Sequence, residues 1–377
     1  LAYADRTTPV SRSYASEIRM PFYGEGLDGL LRARSKQLSG IVNGIDYNVY
    51  NPKTDKNIAV NYSVEDVIKA KAANKTALQK ELGLEENPDA FMLGIVSRLT
   101  DQKGLDLIEC VLDQICAEDV QLVVLGTGEG KYQDMFTYYS RKYPERVSAN
   151  IFYSEALSHR IYASCDAFLM PSLFEPCGLS QLMSLRYGTL PIVRETGGLR
   201  DTVTPYNEVD GTGTGFSFTN YNAHEMLAII RYAKKTYFND RKAWNEMVLR
   251  AMKQDFSWDA SAREYEKLYD GLIEEEARRK EAIRLQQARE AAEAALKEAE
   301  KALELAKRAE EKAIRKFNGI EDEQEDEKIK TAEAPEEDLE AEGSEPEEVS
   351  ETPEAAPEPD EALEVSETSE TSVKAKE

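Results

Sequence analysis

Five short apolar runs punctuate residues 89–218, each bounded by polar positions: "AFMLGIVS", "VQLVVLG", "SANIFY", "DAFLM" and "TLPIVR". Unbroken apolar character over so short a span fits a strand buried on both faces. Helical spacing follows each run, in "GLDLIECVLDQI" (104–115), Tyr132–Arg141, Ser158–Ser164, Gly178–Tyr187 and a short segment after Gly198. Strand and amphipathic helix in repeated alternation predict a parallel sheet covered on both faces. That is a doubly wound, Rossmann-like α/β domain, whose ligand lies beyond the carboxyl ends of its strands. Helical patterns at Ala223–Lys235, Arg241–Gln254 and Ala260–Ile273 close the body. Residues 1–40 do not fit the repeat and read as the end of another domain.

The pattern changes after residue 272. In 273–318, Leu285, Ala288, Ala292, Ala295, Ala299, Ala302, Ala306, Ala309 and Ala313 recur three and four apart, a heptad seam made mostly of alanine. Interleaved Glu and Lys/Arg support a helix. Alanine buries little area, so a solitary charged helix and a weakly self-associating coiled coil through 285–313 are both open. Residues 319–377 are rich in Glu, Pro, Ser and Thr, and disorder is expected there.

Charge sharpens this division. Of the chain's net −24, residues 319–377 carry −20, from 24 acidic residues and 4 lysines, which leaves −4 for the other 318. The body is near neutral, and nothing in it offers a basic face for nucleic acid. Cys110, Cys116, Cys165 and Cys177 lack CxxC spacing, which suggests a reducing compartment. With no long apolar run and no signal peptide, no membrane partner is expected and the cytoplasm is the default.

Three strand–helix junctions carry the candidate chemistry: "SRLTDQKGLD" (97–106), "SLFEPCGL" (172–179) and "RETGGLRD" (194–201). In a doubly wound fold they converge on one cleft. Arg98 and Lys103, just before a helix, suit a diphosphate. The "TGG" of Thr196, Gly197 and Gly198 offers unobstructed backbone amides, also friendly to anions. Glu175 would face the sugar end of such a ligand. Taken alone, "EPCGL" also fits a plain helix start with Glu175 in its first turn. "GTGEG" (126–130) lacks the full dinucleotide fingerprint and reads better as a tight strand–helix turn. His159 reads as structural rather than as a base. Cys177 reads as a substrate contact rather than a nucleophile, having no base paired with it. Arg194 and Arg200 suit either phosphate charge or surface ion pairs. No D-x-D spacing occurs before Gly271, so a metal-bridged diphosphate is not expected; no cofactor is expected either.

Together with "LSGIVNGIDYNVYNP" (38–52), "IFYSEALSHRIYASCD" (151–166) and "YGTLPIVRETGGLRDTV" (187–203), these junctions resemble the bacterial glycogen synthases and plant starch synthases, the ADP-glucose-dependent transferases of glycosyltransferase family 5. The resemblance runs from about Ser11 to Leu272. It implies the two-domain GT-B fold, with 1–40 the end of the acceptor-side domain and 41–272 the nucleotide-sugar domain. It also implies an incomplete enzyme, without the "KTGGL"-type motif and the acceptor-side Asp and His. By position, Arg98 and Lys103 would grip the ADP phosphates and Glu175 would lie near the transferred glucose. Cys177, Gly178, Leu179, Ser180 and Thr196–Gly198 would touch glucose hydroxyls and phosphate, and Tyr153 would pack by the adenine. The implied partners are ADP-glucose and an α-glucan acceptor. Met183 stands eight residues after Glu175, where many related retaining transferases carry a second Glu. That favours front-face transfer over a two-carboxylate displacement. A catalytically inactive nucleotide-sugar-binding module is the alternative, and a scaffold built around the charged helix is a third reading. Adenine and uracil donors are not distinguished by these residues.

Overall fold

The computed structural model of the chain describes residues 1–319. Helices α1 (Arg12–Glu17), α2 (Asp28–Ala33) and α3 (Val67–Leu82) precede the sheet. The alternating region then runs β1 (Phe91–Val96), α4 (Leu105–Ala117), β2 (Val120–Leu125), α5 (Gly130–Lys142), β3 (Val147–Asn150), α6 (Glu155–Ser164) and β4 (Ala167–Met170). It continues with α7 (Ser180–Arg186), β5 (Leu190–Arg194), α8 (Gly197–Thr202) and β6 (Phe216–Phe218), and α9 (Ala223–Asn239), α10 (Arg241–Met252) and α11 (Trp258–Phe317) follow. The chain divides into two compact units, Leu1–Ala288 and Arg289–Glu377. The second is described only in its helical part, where the side chains through Phe317 are exposed.

Every strand pairs parallel to its neighbour, in the order β3-β2-β1-β4-β5-β6. The five anticipated strands are all present, and the three-residue β6 is added at the edge. Alternation assigns the two faces. Phe91, Leu93 and Ile95 join the larger apolar core, while Met92 faces a smaller cluster with Leu78, Val123, Leu157 and Ile161. Gly94 lies on that second face, where a Cβ would meet Cys165 Sγ and Ile161 Cγ2 at 2.9 Å, so its lack of a side chain lets α6 sit close. Chain order along the sheet reverses between β1 and β4. That is the topological switch point, the place in such a fold where a ligand crevice opens.

Two boundaries differ from the pattern-based ones. "SANIFY" ends as a strand at Asn150, which leaves Tyr153 in the loop before α6. The two predicted helices either side of residue 273 are one unbroken α11. The disorder expected of the acidic stretch lies, from residue 320 onward, outside the described residues.

Helix α3 ties the segment before the sheet to both of its faces, and it does so with polar side chains. Lys75 Nζ donates to Asp166 Oδ2 (2.6 Å), Ala90 O (2.8 Å) and Tyr237 Oη (2.9 Å). Lys71 Nζ donates to Thr189 Oγ1 (2.7 Å) and Ala163 O (3.1 Å), and Gln79 Nε2 to Gln121 Oε1 (2.7 Å). The two ammonium groups and the Gln79 amide nitrogen thus have partners, as burial demands, while Gln79 Oε1 has none among the described residues.

A second buried network holds the loop before α3. Tyr187 Oη donates to Asp55 Oδ2 (2.5 Å), which lies 2.6 Å from His159 Nδ1, and Tyr50 stacks on the imidazole at 4.8 Å. Burial pushes the Asp55 carboxyl up, but hydrogen bonds from Tyr187, the Asn57 amide and His159 outweigh it and hold it below the usual range. A depressed folded value means stability that is present above the unfolded pKa, about 4, and is lost as pH falls through the folded one. Asp55→Asn is therefore expected to be less stable than the parent at pH 7, with the gap narrowing at pH 3. Denaturant titrations at the two values check it; a gap independent of pH contradicts the assignment.

Candidate active site

The loops after β1 and β4 meet at the switch point with almost no space between their backbones. Gly104 has φ +71°, and a Cβ on it would lie 2.0 Å from Pro171 O. Leu173 N donates to Gln102 O (2.9 Å), and Gln102 Nε2 to Phe174 O (3.2 Å). The "GTGEG" turn backs the first loop in the same way: Cβ atoms at Gly126 and Gly128 would fall 1.9 Å from Ser97 O and 2.2 Å from Leu99 O. Gly126 and Gly128 serve close packing, the tight-turn reading, while Gly130 opens α5 with free space around it.

Within this frame Lys103, at the end of a short 3₁₀ turn, donates from Nζ to Glu175 Oε2 at 2.6 Å. Ser172 Oγ donates to the same oxygen at 3.2 Å, leaving Oε1 without a protein partner among the described residues. Glu175 is only 7% exposed. Arg98 is exposed on the same loop, and its guanidinium donates from Nη2 to Gln102 Oε1 (3.2 Å). The site is thus a buried carboxylate with one ammonium on it and an exposed guanidinium on the same loop as that ammonium.

The third junction has a different part from the one its sequence suggests. Gly198 N donates to Glu175 O (3.0 Å), and Gly197 N to Glu17 Oε1 (2.8 Å). Thr196 Oγ1 also donates to the Glu17 carboxylate, at 3.1 and 3.3 Å. The amides read as open anion donors are therefore engaged by the protein itself. Both glycines are needed for packing: a Cβ on Gly197 would lie 2.0 Å from Glu175 O, and one on Gly198 2.0 Å from Cys177 O. By contrast, the amides of Gly178, Leu179 and Ser180, around the start of α7, donate to no protein group among the described residues. Gly178 takes φ +70° to make that turn.

Arg194 proves to be a brace. Its Nη1 donates to Leu173 O (2.6 Å) and Ser172 O (3.2 Å), fixing the loop that carries Glu175, while Arg200 is exposed. Cys177 is buried; burial, helped by the Glu175 and Asp201 carboxylates, pushes its thiol up against a lowering by the Asn43 backbone, so it stays protonated. Met183 packs partly buried against the core. Tyr153 follows the edge strand β3 and is 85% exposed, and the structure does not join it to the Lys103–Glu175 pair. Glu17 escaped the sequence reading because its partners lie 180 positions away and its own surroundings, "SYASEI", carry no motif.

The parallel sheet, with the Lys103–Glu175 pair at its switch point, has the architecture of a GT-B glycosyltransferase domain. A profile of "Glycosyl transferases group 1" matches residues 75–248, and one of "Starch synthase catalytic domain" matches residues 1–33. The chain belongs, within that class, to the glycogen synthase family. It is 69% identical over 272 residues to the glycogen synthase of Lachnospira eligens and 63% to that of Lachnoclostridium phytofermentans. Each match takes in 72% of this chain and 57% of the relative, so the chain spans little more than half the length of those proteins. Among solved structures, the catalytic domain of Starch Synthase IV from Arabidopsis thaliana, bound to ADP and acarbose, superposes with TM-score 0.67 at 36% identity. That match covers 71% of this chain and 56% of that one. HepE of Anabaena, with UDP and glucose, reaches TM-score 0.50 at 19% identity, a likeness of fold.

Proposed function

We propose that the chain carries the donor side of an ADP-glucose-dependent glucosyltransferase that extends an α-1,4-glucan at its non-reducing end with retention of configuration. The observation that carries this reading is the Lys103–Glu175 contact at the switch point, with Arg98 beside it. Arg98 and Lys103 suit a diphosphate, and Lys103 then stands between phosphate and carboxylate, able to bridge them with its three donors. The unengaged amides of Gly178–Ser180 suit the phosphate and sugar oxygens. As the diphosphate leaves, positive charge grows on the glucose ring, and Glu175 opposes it from a site too dry to screen the interaction. With Met183 where a second carboxylate would stand, the acceptor hydroxyl enters on the face the diphosphate leaves. The Arabidopsis neighbour's ADP supports the choice of donor, and Tyr153 is assigned to the adenine side.

We divide the chain into an acceptor-side segment and hinge (1–40), the donor domain (41–272), the charged helix (273–318) and the acidic tail (319–377), and place the protein in the cytoplasm. The alanine seam at 285–313 supports weak self-association, which sedimentation over a concentration series tests. Because the chain spans about half of its relatives' length, a donor-binding module without turnover is the second reading. Glucose incorporation into glycogen, by this chain and by the longest natural protein that carries it, separates the two. ADP-glucose is expected to be preferred; a preference for UDP-glucose overturns the donor assignment.

Lys103→Ala is expected to weaken ADP and ADP-glucose alike, since its partner is phosphate. A part-exposed charge-assisted contact is worth about 1.5 kcal/mol, or roughly tenfold in affinity. Calorimetry with ADP checks it, and unchanged affinity removes Lys103 from the site.

A further inference from the structure

Glu17 ends α1 and reaches the turn that supports Glu175. Its carboxylate accepts from Gly197 N at 2.8 Å and from Thr196 Oγ1 at 3.1 Å. The next amide, Gly198 N, donates to the carbonyl of Glu175. Between turn and carboxylate loop there is no slack, because the missing Cβ atoms of Gly197 and Gly198 would each sit 2.0 Å from a carbonyl oxygen of that loop. A shift of the turn therefore moves the main chain of Glu175. A separate contact docks the start of α1 on the same helix: Ser13 N and Oγ donate to Asp201 at 2.9 and 2.6 Å, without touching the turn. The two contacts also link the two profile-matched segments, 1–33 and 75–248.

We propose that Glu17 is a positioning residue for Glu175, setting the turn Thr196–Gly198 and, through it, the place of the carboxylate. By this link, a movement of the segment that holds α1 is passed to the reacting end of the site. The inference rests on the function proposed above for what Glu175 does, but not for the physical coupling.

Glu17→Ala, Glu17→Gln and Asp201→Asn test it, in this chain for amide exchange and in the longest natural protein carrying it for rate. In Glu17→Ala, exchange at Gly197 and Gly198 is expected to quicken about tenfold, the loss of one charge-assisted hydrogen bond. Turnover should fall about 10- to 100-fold, the scale of a sub-ångström to 1 Å misplacement. Donor KM and ADP affinity should stay within about threefold, since Arg98 and Lys103 are untouched. Glu17→Gln keeps an oxygen for Gly197 N–H and should recover most of the rate, while Asp201→Asn, which only loosens docking, should leave it near parental. Unchanged turnover in Glu17→Ala, or an equal loss in Asp201→Asn, overturns the proposal. A parent that transfers no glucose overturns the function proposed above instead. The Gly198 exchange rate then decides this inference alone, and unaltered protection in Glu17→Ala refutes it.

Discussion

Lys75→Met is expected to remove about 3–5 kcal/mol of stability, the scale of breaking a buried ion pair by deleting one partner. Lys75 lies 2% exposed on α3, 2.6 Å from Asp166, which also accepts from Met92 N at 2.8 Å. Burial pulls the Lys75 ammonium down, but Asp166 and Tyr237 outweigh it, so it titrates above an ordinary lysine. Methionine matches the stem and deletes only the ammonium. What remains is a carboxylate at the start of β4 with no cation, and two carbonyls, Pro88 O and Ala90 O, without their donor. For a domain of this size the loss corresponds to a melting temperature lower by roughly 6–15 °C. Adding Asp166→Asn removes the stranded charge and should restore part of the loss. A single mutant within about 1 kcal/mol of the parent would mean that water reaches Asp166 and the pair is not buried in solution.

The same residue shows where the fold was legible in the sequence and where it was not. The strands announced themselves because both faces of a parallel sheet are covered, so their apolar runs are unbroken. Helix α3 gave no such signal. Its buried face includes Lys71, Asn74, Lys75 and Gln79, which an apolar-periodicity reading assigns to solvent. Only their hydrogen-bond partners, spread from Val60 to Tyr237 in the chain, reveal that face. The site divides in the same way. The meeting of the Lys103 and Glu175 loops was legible because both follow their strands, β1 and β4, directly, where topology alone fixes convergence. The role of the "TGG" turn was not, because a glycine that opens a path for a ligand and one that lets two backbones touch are the same letter. At Gly197 and Gly198 the touching backbone is that of Glu175 and Cys177. Arg194 was equally ambiguous, since a brace on carbonyls and a phosphate ligand need the same guanidinium.

Glu175→Gln is expected to lower turnover about 10²-fold or more while leaving ADP affinity within a few-fold of the parent. The substitution keeps the shape and an oxygen acceptor for Lys103 Nζ and Ser172 Oγ, so the loop, held by Arg194, Gln102 and Gly198, has no reason to move. Only the charge is lost. A neutral amide binds the ground state nearly as well as a carboxylate, because the bound sugar carries no net charge at its ring. It cannot oppose the positive charge that grows there as the diphosphate departs, and only that difference enters the rate. Lys103, relieved of its anionic partner, gains freedom to turn toward phosphate, so any change in ADP affinity should be toward tighter binding. Turnover and donor KM, measured in the longest natural protein that carries the chain, and ADP calorimetry together decide the matter. Should the Gln variant polymerise glucose at a near-parental rate, Glu175 is a buried helix-start residue paired with Lys103 for stability, and the transfer must draw its charge stabilisation from elsewhere.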